Sequence, residues 1–359
     1  MAGGGPAGCA TAIALRRAGV ERVLVAEAAA GDRVRVGESI PPDTRLLLDR
    51  LGVTERFEAD GHEPCLGSCS AWGDAELGYN DFLFNPHGHG WHLDRRRFDA
   101  SLAAEAEAAG ADVAAGWECK RVERGDGGFA LRLEGEGSRT VRAAFVVDAT
   151  GRVARVARAL GARRVVDDRL TCVVAFLRGG SASRLTRLTM LEGVEDGWWY
   201  AARLPAEGVV VAVAGDPDVV KRAELHTEQG WLAALDETEH VRGELEGCRI
   251  EEMVVRTAPS FALDPAAGAD WLAVGDAAAA CDPIAAQGIH NALSDGLTAG
   301  HAIAARLKGD PGALDGYREA VAARYAAYRS VRDHLYAREQ RWPDAPFWTR
   351  RRAPVTLRS

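Results

Sequence analysis

Apolar positions along the chain alternate between two spacings. Near the start a helical run, Cys9 to Ala18, is followed by Gly19 and the apolar strand Val23-Leu24-Val25-Ala26, which ends on Glu27. This is a helix-then-strand unit. Farther on, Leu170–Leu177, Trp198–Leu204 and Val209–Val213 read as strands, and Trp271–Val274 as a short apolar strand before Gly275-Asp276. Residues 311–340 space Tyr317, Val321, Tyr325 and Tyr328 at helical intervals and predict a long closing helix. Mixed strand and helix patterns over one chain predict an α/β protein.

Chemistry enters at the first helix. Gly3-Gly4-Gly5-Pro6-Ala7-Gly8 meets GxGxxG through Gly3, Gly5 and Gly8. In a dinucleotide-binding unit the first glycine permits the turn and the second lets backbone amides approach a pyrophosphate. The third allows close helix packing, and the acid ending the next strand, here Glu27, binds a ribose hydroxyl. Such a unit begins with its own strand of about five residues. Only Met1 and Ala2 precede the glycines. We expect upstream residues to supply that strand, through a start codon assigned too late or a truncation.

Composition narrows the class. The net charge is −8, and no basic run exceeds Arg350–Arg352, which argues against a nucleic-acid partner. No apolar run reaches the ~18 residues of a membrane span, and no secretory signal pattern is evident. Seven cysteines, an odd number in a long chain, suggest no disulfide framework. A reduced, cytoplasmic protein is the expectation.

A second motif lies far downstream. Gly275-Asp276-Ala-Ala-Ala-Ala-Cys281-Asp282-Pro283, then Gln287-Gly288 opening a helix, resembles the FAD-contacting segment of flavoprotein monooxygenases and flavin-dependent halogenases. Three further stretches extend the resemblance: Val34-Arg35-Val36-Gly37-Glu38-Ser39, Leu93-Asp94-Arg95 with Phe98-Asp99, and Asp148-Ala149-Thr150-Gly151-Arg152. The C-terminal Trp342-Pro343 and Phe347-Trp348 fit the tail of short halogenase-like proteins. The resemblance implies FAD as cofactor. Gly3, Gly5, Gly8, Glu27, Arg35, Arg95, Gly275, Asp276, Pro283, Gln287 and Gly288 would contact it, Asp276 through the ribityl chain.

It also implies the fold: a Rossmann-like FAD-binding domain of the hydroxylase/halogenase type, an inserted mainly-β substrate domain, and C-terminal helices. On these anchors residues 1–60, 93–165 and 265–310 form the FAD domain. Residues 61–92 and 166–264 form the substrate domain, and 311–359 the C-terminal helical segment.

Departures from the family patterns bear on the reaction. Tryptophan halogenases use a lysine beyond the VGE segment to handle hypohalous acid. This chain has only Lys120, Lys221 and Lys308, so none lies between Glu38 and Lys120. The halogenase motif G-W-x-W-x-I-P is altered to Gly197-Trp198-Trp199-Tyr200, with a longer spacing to Pro205. Thr150-Gly151 replaces the Asp-Gly of single-component hydroxylases, so a separate flavin reductase is the expected electron donor. What remains resembles the small flavoproteins that hydroxylate protein-bound tryptophan during tryptophylquinone formation. The resulting expectation is a monooxygenase acting through a flavin C4a-hydroperoxide on an indole- or tryptophan-like ring, free or in a peptide or protein. The alternatives are a halogenase, an FAD-dependent reductase or dehydrogenase, and a non-catalytic flavin-binding chaperone.

Side-chain candidates follow. If 88–95 is extended, alternation puts His89, Trp91, Leu93 and Arg95 on one face, with His89 as acid/base and Trp91 as a stacking wall. His92 is a second candidate base. Trp198, Trp199 and Tyr200 are candidate substrate contacts. Neither His87/His89/His92 nor His62/Cys65/Cys69 completes a ligand set, so no metal is expected.

Overall fold

The computed structural model describes residues 1–29, 34–179 and 186–352. The stretches 30–33 and 180–185 of the two expected domains, and 353–359 of the C-terminal segment, lie outside the described residues. The first helix is Pro6–Arg17, followed by the strand Leu24–Glu27, as the apolar pattern predicts.

The dinucleotide sheet is assembled from two parallel pairs. Leu24–Glu27 pairs with Asp112–Ala115, and Val146–Asp148 pairs with Trp271–Ala273. Between the pairs sits Ala2, bridged in parallel to Ala26 on one side and Asp148 on the other. Its amide donates to Val147 O at 3.0 Å, and Gly3 N donates to Ala26 O at 2.8 Å. Met1–Gly3 thus hold the central position of the sheet at the end where the glycines begin.

Two helices cover this sheet together. Pro6–Arg17 lies against Gly288–Leu307, and the approach is close because Gly296 and Gly300 face Ala10 and Ala14. A Cβ on Gly296 would come 2.5 Å from that of Ala10, and one on Gly300 2.3 Å from that of Ala14. The long helix Ala313–Arg338 closes the domain. Its Tyr317 hydroxyl donates to Ala273 O at 2.6 Å, which ties it to the end of the sheet.

A seven-stranded sheet forms the cover. Its order is 248–257, 171–179, 208–215, 197–203, 188–194, 67–71 and 78–81, antiparallel except where 188–194 runs beside 67–71. Both faces of its central strands, 171–179, 197–203 and 208–215, are largely buried. One carries Trp199, Val211 and Val213 against the helices Pro217–Arg222 and Glu228–Asp236. The other carries Cys172, Val174, Trp198 and Ala212 toward Ile284 and Tyr336. The last helix, Pro346–Arg352, presses Phe347 and Trp348 onto that second face.

The expected extended run through Arg95 is corrected here. The strand Gly90–His92 stops before Asp94, whose carboxylate accepts from Arg97 N and caps the helix Arg95–Ala108. Arg95 therefore projects from a first helical turn, and strand alternation does not relate it to His89. The Trp198–Tyr200 run also needs correction, since alternation sends Trp199 to the face opposite its neighbours.

Candidate active site

One large cavity, about 590 Å³, runs from the glycine-rich turn to the cover sheet. Its first wall is the turn itself. Gly3 has φ +108°, and a Cβ there would come 2.1 Å from Ala149 O. Gly8 is equally constrained, with a Cβ 2.1 Å from Gly3 O. A Cβ on Gly5 would meet nothing nearer than an Arg35 nitrogen at 3.6 Å, because this glycine faces the cavity. The three glycines thus divide into two that permit close packing and one that leaves room for a ligand. No side chain caps the helix that follows, so its amide-rich end points at the cavity free of internal competition.

Acidic and basic groups organise the same end. Glu27 accepts from Gly4 N at 2.6 Å and pairs with Arg35 at 3.1 Å. Arg35 also reaches Asp99 at 3.0 Å, which Arg95 holds from the other side at 3.1 Å. Arg95 additionally donates to the Val36 and Gly37 carbonyls and so fixes the segment leading to Glu38. Both arginines line the cavity.

The far wall comes from the Gly-Asp segment. Gly275 has φ +58°, and a Cβ on it would lie 2.8 Å from that of Ala7. Asp276 lines the cavity and pairs with Arg152 at 3.3 Å. Arg152 also donates to Pro259 O and Cys281 O at 2.8 and 2.7 Å. It thereby fastens the returning strand-turn to the segment after Asp276. Pro283 and Gly288 face the cavity; Gln287 caps the following helix by position without lining it.

The cover sheet contributes Trp198 and Tyr200 to the wall. Trp199 is not there: its ring packs on Trp231 at 5.2 Å on the opposite face. The three candidates around residue 90 also stand back from the cavity. His89 bonds to Gly90 O and meets the Trp91 ring edge, while Trp91 packs against Phe57. His92 is wholly buried, and its Nε2 lies 2.9 Å from Thr189 Oγ1. It reaches the cavity only through hydroxyls, Thr189 to Ser39 at 3.3 Å and Ser39 to Tyr200 at 2.8 Å. Burial lowers the His92 pKa to about 4, so its ring is neutral at neutral pH.

Other residues now enter the site. Glu38 lines the cavity fully buried, with Oε1 lacking a hydrogen-bond partner. Burial raises its pKa to about 7, against the pull of the Arg95 charge. Glu38, Ser39 and Arg152 lie inside motifs legible in the chain, but nothing in their spacing marks them as cavity groups. Arg256, at the edge of the cover sheet, carries no sequence signal at all. Among the described residues no group of three His, Cys, Asp or Glu is arranged to hold a metal ion, and no helix is long and apolar enough to cross a membrane.

FAD fits what these walls offer: a glycine cradle and helix terminus for a pyrophosphate, Glu27 for a ribose, and Asp276 beside Pro283 and Gly288 for the flavin end. The FAD binding domain family model matches residues 1–330. The chain belongs to that family and is an FAD-dependent oxidoreductase of the halogenase and hydroxylase fold.

Among individual proteins, LodB of Marinomonas mediterranea is 31% identical over 358 residues, covering 98% of this chain and 95% of LodB. The flavin-dependent halogenase gsfI of Penicillium aethiopicum is 28% identical over 89% of this chain, which spans 66% of its length. Two solved structures share the fold. The myxobacterial chondrochloren halogenase CndH superposes with TM-score 0.91 at 24% identity, covering 99% of this chain and 85% of CndH. The peptidyl tryptophan dihydroxylase QhpG does so with TM-score 0.80 at 25% identity, covering 99% and 79%.

Proposed function

We propose that this protein inserts oxygen into an electron-rich aromatic ring, with an indole or a peptide-borne tryptophan as the substrate class. The observation that carries the reading is the composition of the cavity wall. Trp198 and Tyr200 give it aromatic surface, Glu38 and Ser39 give it polar groups, and no lysine lines it. All three lysines are exposed on the outside. The bound FAD would supply the electron transfer and oxygen activation that side chains lack. The protein's part is to hold the ring against Trp198 and Tyr200 and to exclude water. Glu38, poised by burial near neutrality, accepts or returns a proton at the wall. Similarity to the peptidyl tryptophan dihydroxylase QhpG supports this reading, and similarity to LodB over nearly the whole chain supports its FAD-dependent oxidoreductase part.

Halogenation is the second reading, favoured by the halogenases among its relatives, such as gsfI and the tryptophan 2-halogenase of Chondromyces crocatus. The test supplies reduced FAD, oxygen and either an indole or a tryptophan-containing peptide, with and without chloride or bromide. Hydroxylation gives oxygen uptake matched by a product heavier by one oxygen atom, indifferent to halide. A chlorinated or brominated product, absent with heat-killed protein, replaces this reading with the second. Oxygen uptake without a modified product removes both.

A further inference from the structure

Trp198 forms part of the cavity wall, yet its indole nitrogen turns away from the cavity and donates to Tyr336 Oη at 3.0 Å. The Tyr336 hydroxyl in turn donates to the buried Asp282 Oδ2 at 2.7 Å. Beyond Tyr336 the aromatic contacts continue. Its ring lies 5.9 Å from Trp348 and 6.0 Å from Trp72, and those two are 5.3 Å apart. Trp348 stacks on Trp342 at 6.1 Å and 15° between planes. Trp342 is half-buried at the protein surface, under the Arg341 guanidinium. Four of the nine tryptophans therefore form, with one tyrosine, a continuous path from cavity to surface.

Packing alone does not require this composition. Phenylalanine at 336 would fill the same space without placing a phenol against a buried carboxylate, an arrangement that costs desolvation. The polar atoms of the inner path are instead provided for. The Trp72 indole donates to Leu335 O and the Trp348 indole to Val194 O. Two guanidinium groups, of Arg332 and Arg351, lie 5.5 Å from the Tyr336 ring and disfavour a cationic phenol. A tyrosine oxidised there must release its proton, and Asp282 is in place to take it.

We infer that the chain Trp198–Tyr336–Trp348/Trp72–Trp342 carries one-electron oxidising equivalents out of the flavin cavity to the surface, a protective function separate from substrate turnover. The direction follows from the side chains. Indoles and phenols yield an electron only to strong oxidants, so in the dark the path cannot deliver electrons for reduction of ground-state flavin, and light is needed to make the flavin a strong enough oxidant. When reduced flavin meets oxygen without substrate and peroxide leaks, a strong oxygen-centred oxidant of the hydroxyl-radical class removes one electron from Trp198 and leaves as hydroxide. Tyr336 refills Trp198, and its phenolic proton passes to Asp282. Trp348 or Trp72 refills Tyr336, the proton returns from Asp282, and Trp342 refills the inner indoles. A thiol or ascorbate in solution supplies the final electron. One oxidising equivalent is consumed per reductant electron, and no covalent bond of the protein is made or broken.

The inference requires FAD in the cavity and is indifferent to whether the enzyme hydroxylates or halogenates. Its test therefore uses light in place of turnover. The FAD-loaded full chain is excited by a blue flash, so that photoexcited oxidised flavin is the oxidant, and transient absorption follows the aromatic radical and the reduced flavin. Wild type should show a long-lived separated pair whose aromatic signal is quenched by ascorbate. Tyr336→Phe should return roughly tenfold faster or more and lose the ascorbate response. Trp342→Phe, at a half-exposed site that does not threaten folding, should lose the ascorbate response while the inner steps persist. Trp199→Phe, on the opposite sheet face, should behave as wild type. Equal lifetimes and equal ascorbate quenching in wild type, Tyr336→Phe and Trp342→Phe overturn the inference.

Discussion

Ser39 Oγ lies 2.8 Å from the Tyr200 hydroxyl, joining the segment after the dinucleotide strand to the cover sheet across 161 positions of chain. Through this contact the cofactor end and the aromatic wall share one hydrogen-bonded unit, with Thr189 and His92 behind it. Tyr200→Phe removes the hydroxyl from that unit but keeps the ring. The Tyr200→Phe enzyme should bind FAD as wild type does and show a changed kcat with the KM for aromatic substrate little altered. Unchanged kcat would show that the ring alone matters at this position.

Trp199 provides the contrast within the same strand. It is fully buried against Trp231 and away from the cavity. Trp199→Ala should cost about 3–5 kcal/mol in urea unfolding, as large cavities do, and leave the FAD dissociation constant of the folded fraction unchanged. A loss of FAD affinity at full stability would place this ring at the site after all.

FAD affinity should respond to two substitutions for different reasons. Gly5→Val puts branched carbon into the space the glycine leaves open and should abolish measurable binding by flavin fluorescence titration. Asp276→Ala removes one acceptor at the flavin end and should weaken binding by about 1 kcal/mol, the net worth of a hydrogen bond. Wild-type titration curves from both would remove the assignment of these walls to FAD.

Glu38 gives stability a pH dependence with a definite sign. Its folded pKa, about 7, lies above the ordinary carboxyl value of 4.5, because burial penalises the charged form. The folded state therefore binds the proton more tightly, and its contribution is complete below the unfolded pKa. Stability falls as pH rises through the window from 4.5 to about 7. Over that window the loss amounts to ~3 kcal/mol. Urea unfolding of wild type and Glu38→Gln should differ in this way, the variant lacking that part of the decline. Parallel stability–pH curves for the two proteins would exclude it.

The final helix is held by a buried ion pair. Arg351 reaches Asp216 at 2.8 Å, with both side chains almost fully enclosed. Arg351→Ala leaves the Asp216 carboxylate with only the more exposed Arg350 and should destabilise by about 3 kcal/mol. Thermal unfolding would measure it, and an unchanged midpoint would mean that Arg350 suffices.

The chain alone determined the local units. GxGxxG, the strand ending on Glu27, and Gly-Asp before a helix are legible because each depends on backbone geometry within a few residues, where glycine and strand period leave little choice. Both glycine-bearing walls of the cavity were therefore readable from sequence as local geometry.

Tertiary structure decided everything that depends on which way a face turns. The run Trp198-Trp199-Tyr200 has a period of two in either case, and only the helices packed on one side of the sheet fix which rings see the cavity. His92 has the chemistry of a base, but the pairing of its strand with residues 39–40 and 63–65 buries it behind Thr189, away from the cavity. Tyr336 meets Trp198 across 138 positions and Asp282 across 54. No local periodicity encodes such a meeting, because it arises from how a closing helix lies over a sheet built from distant strands.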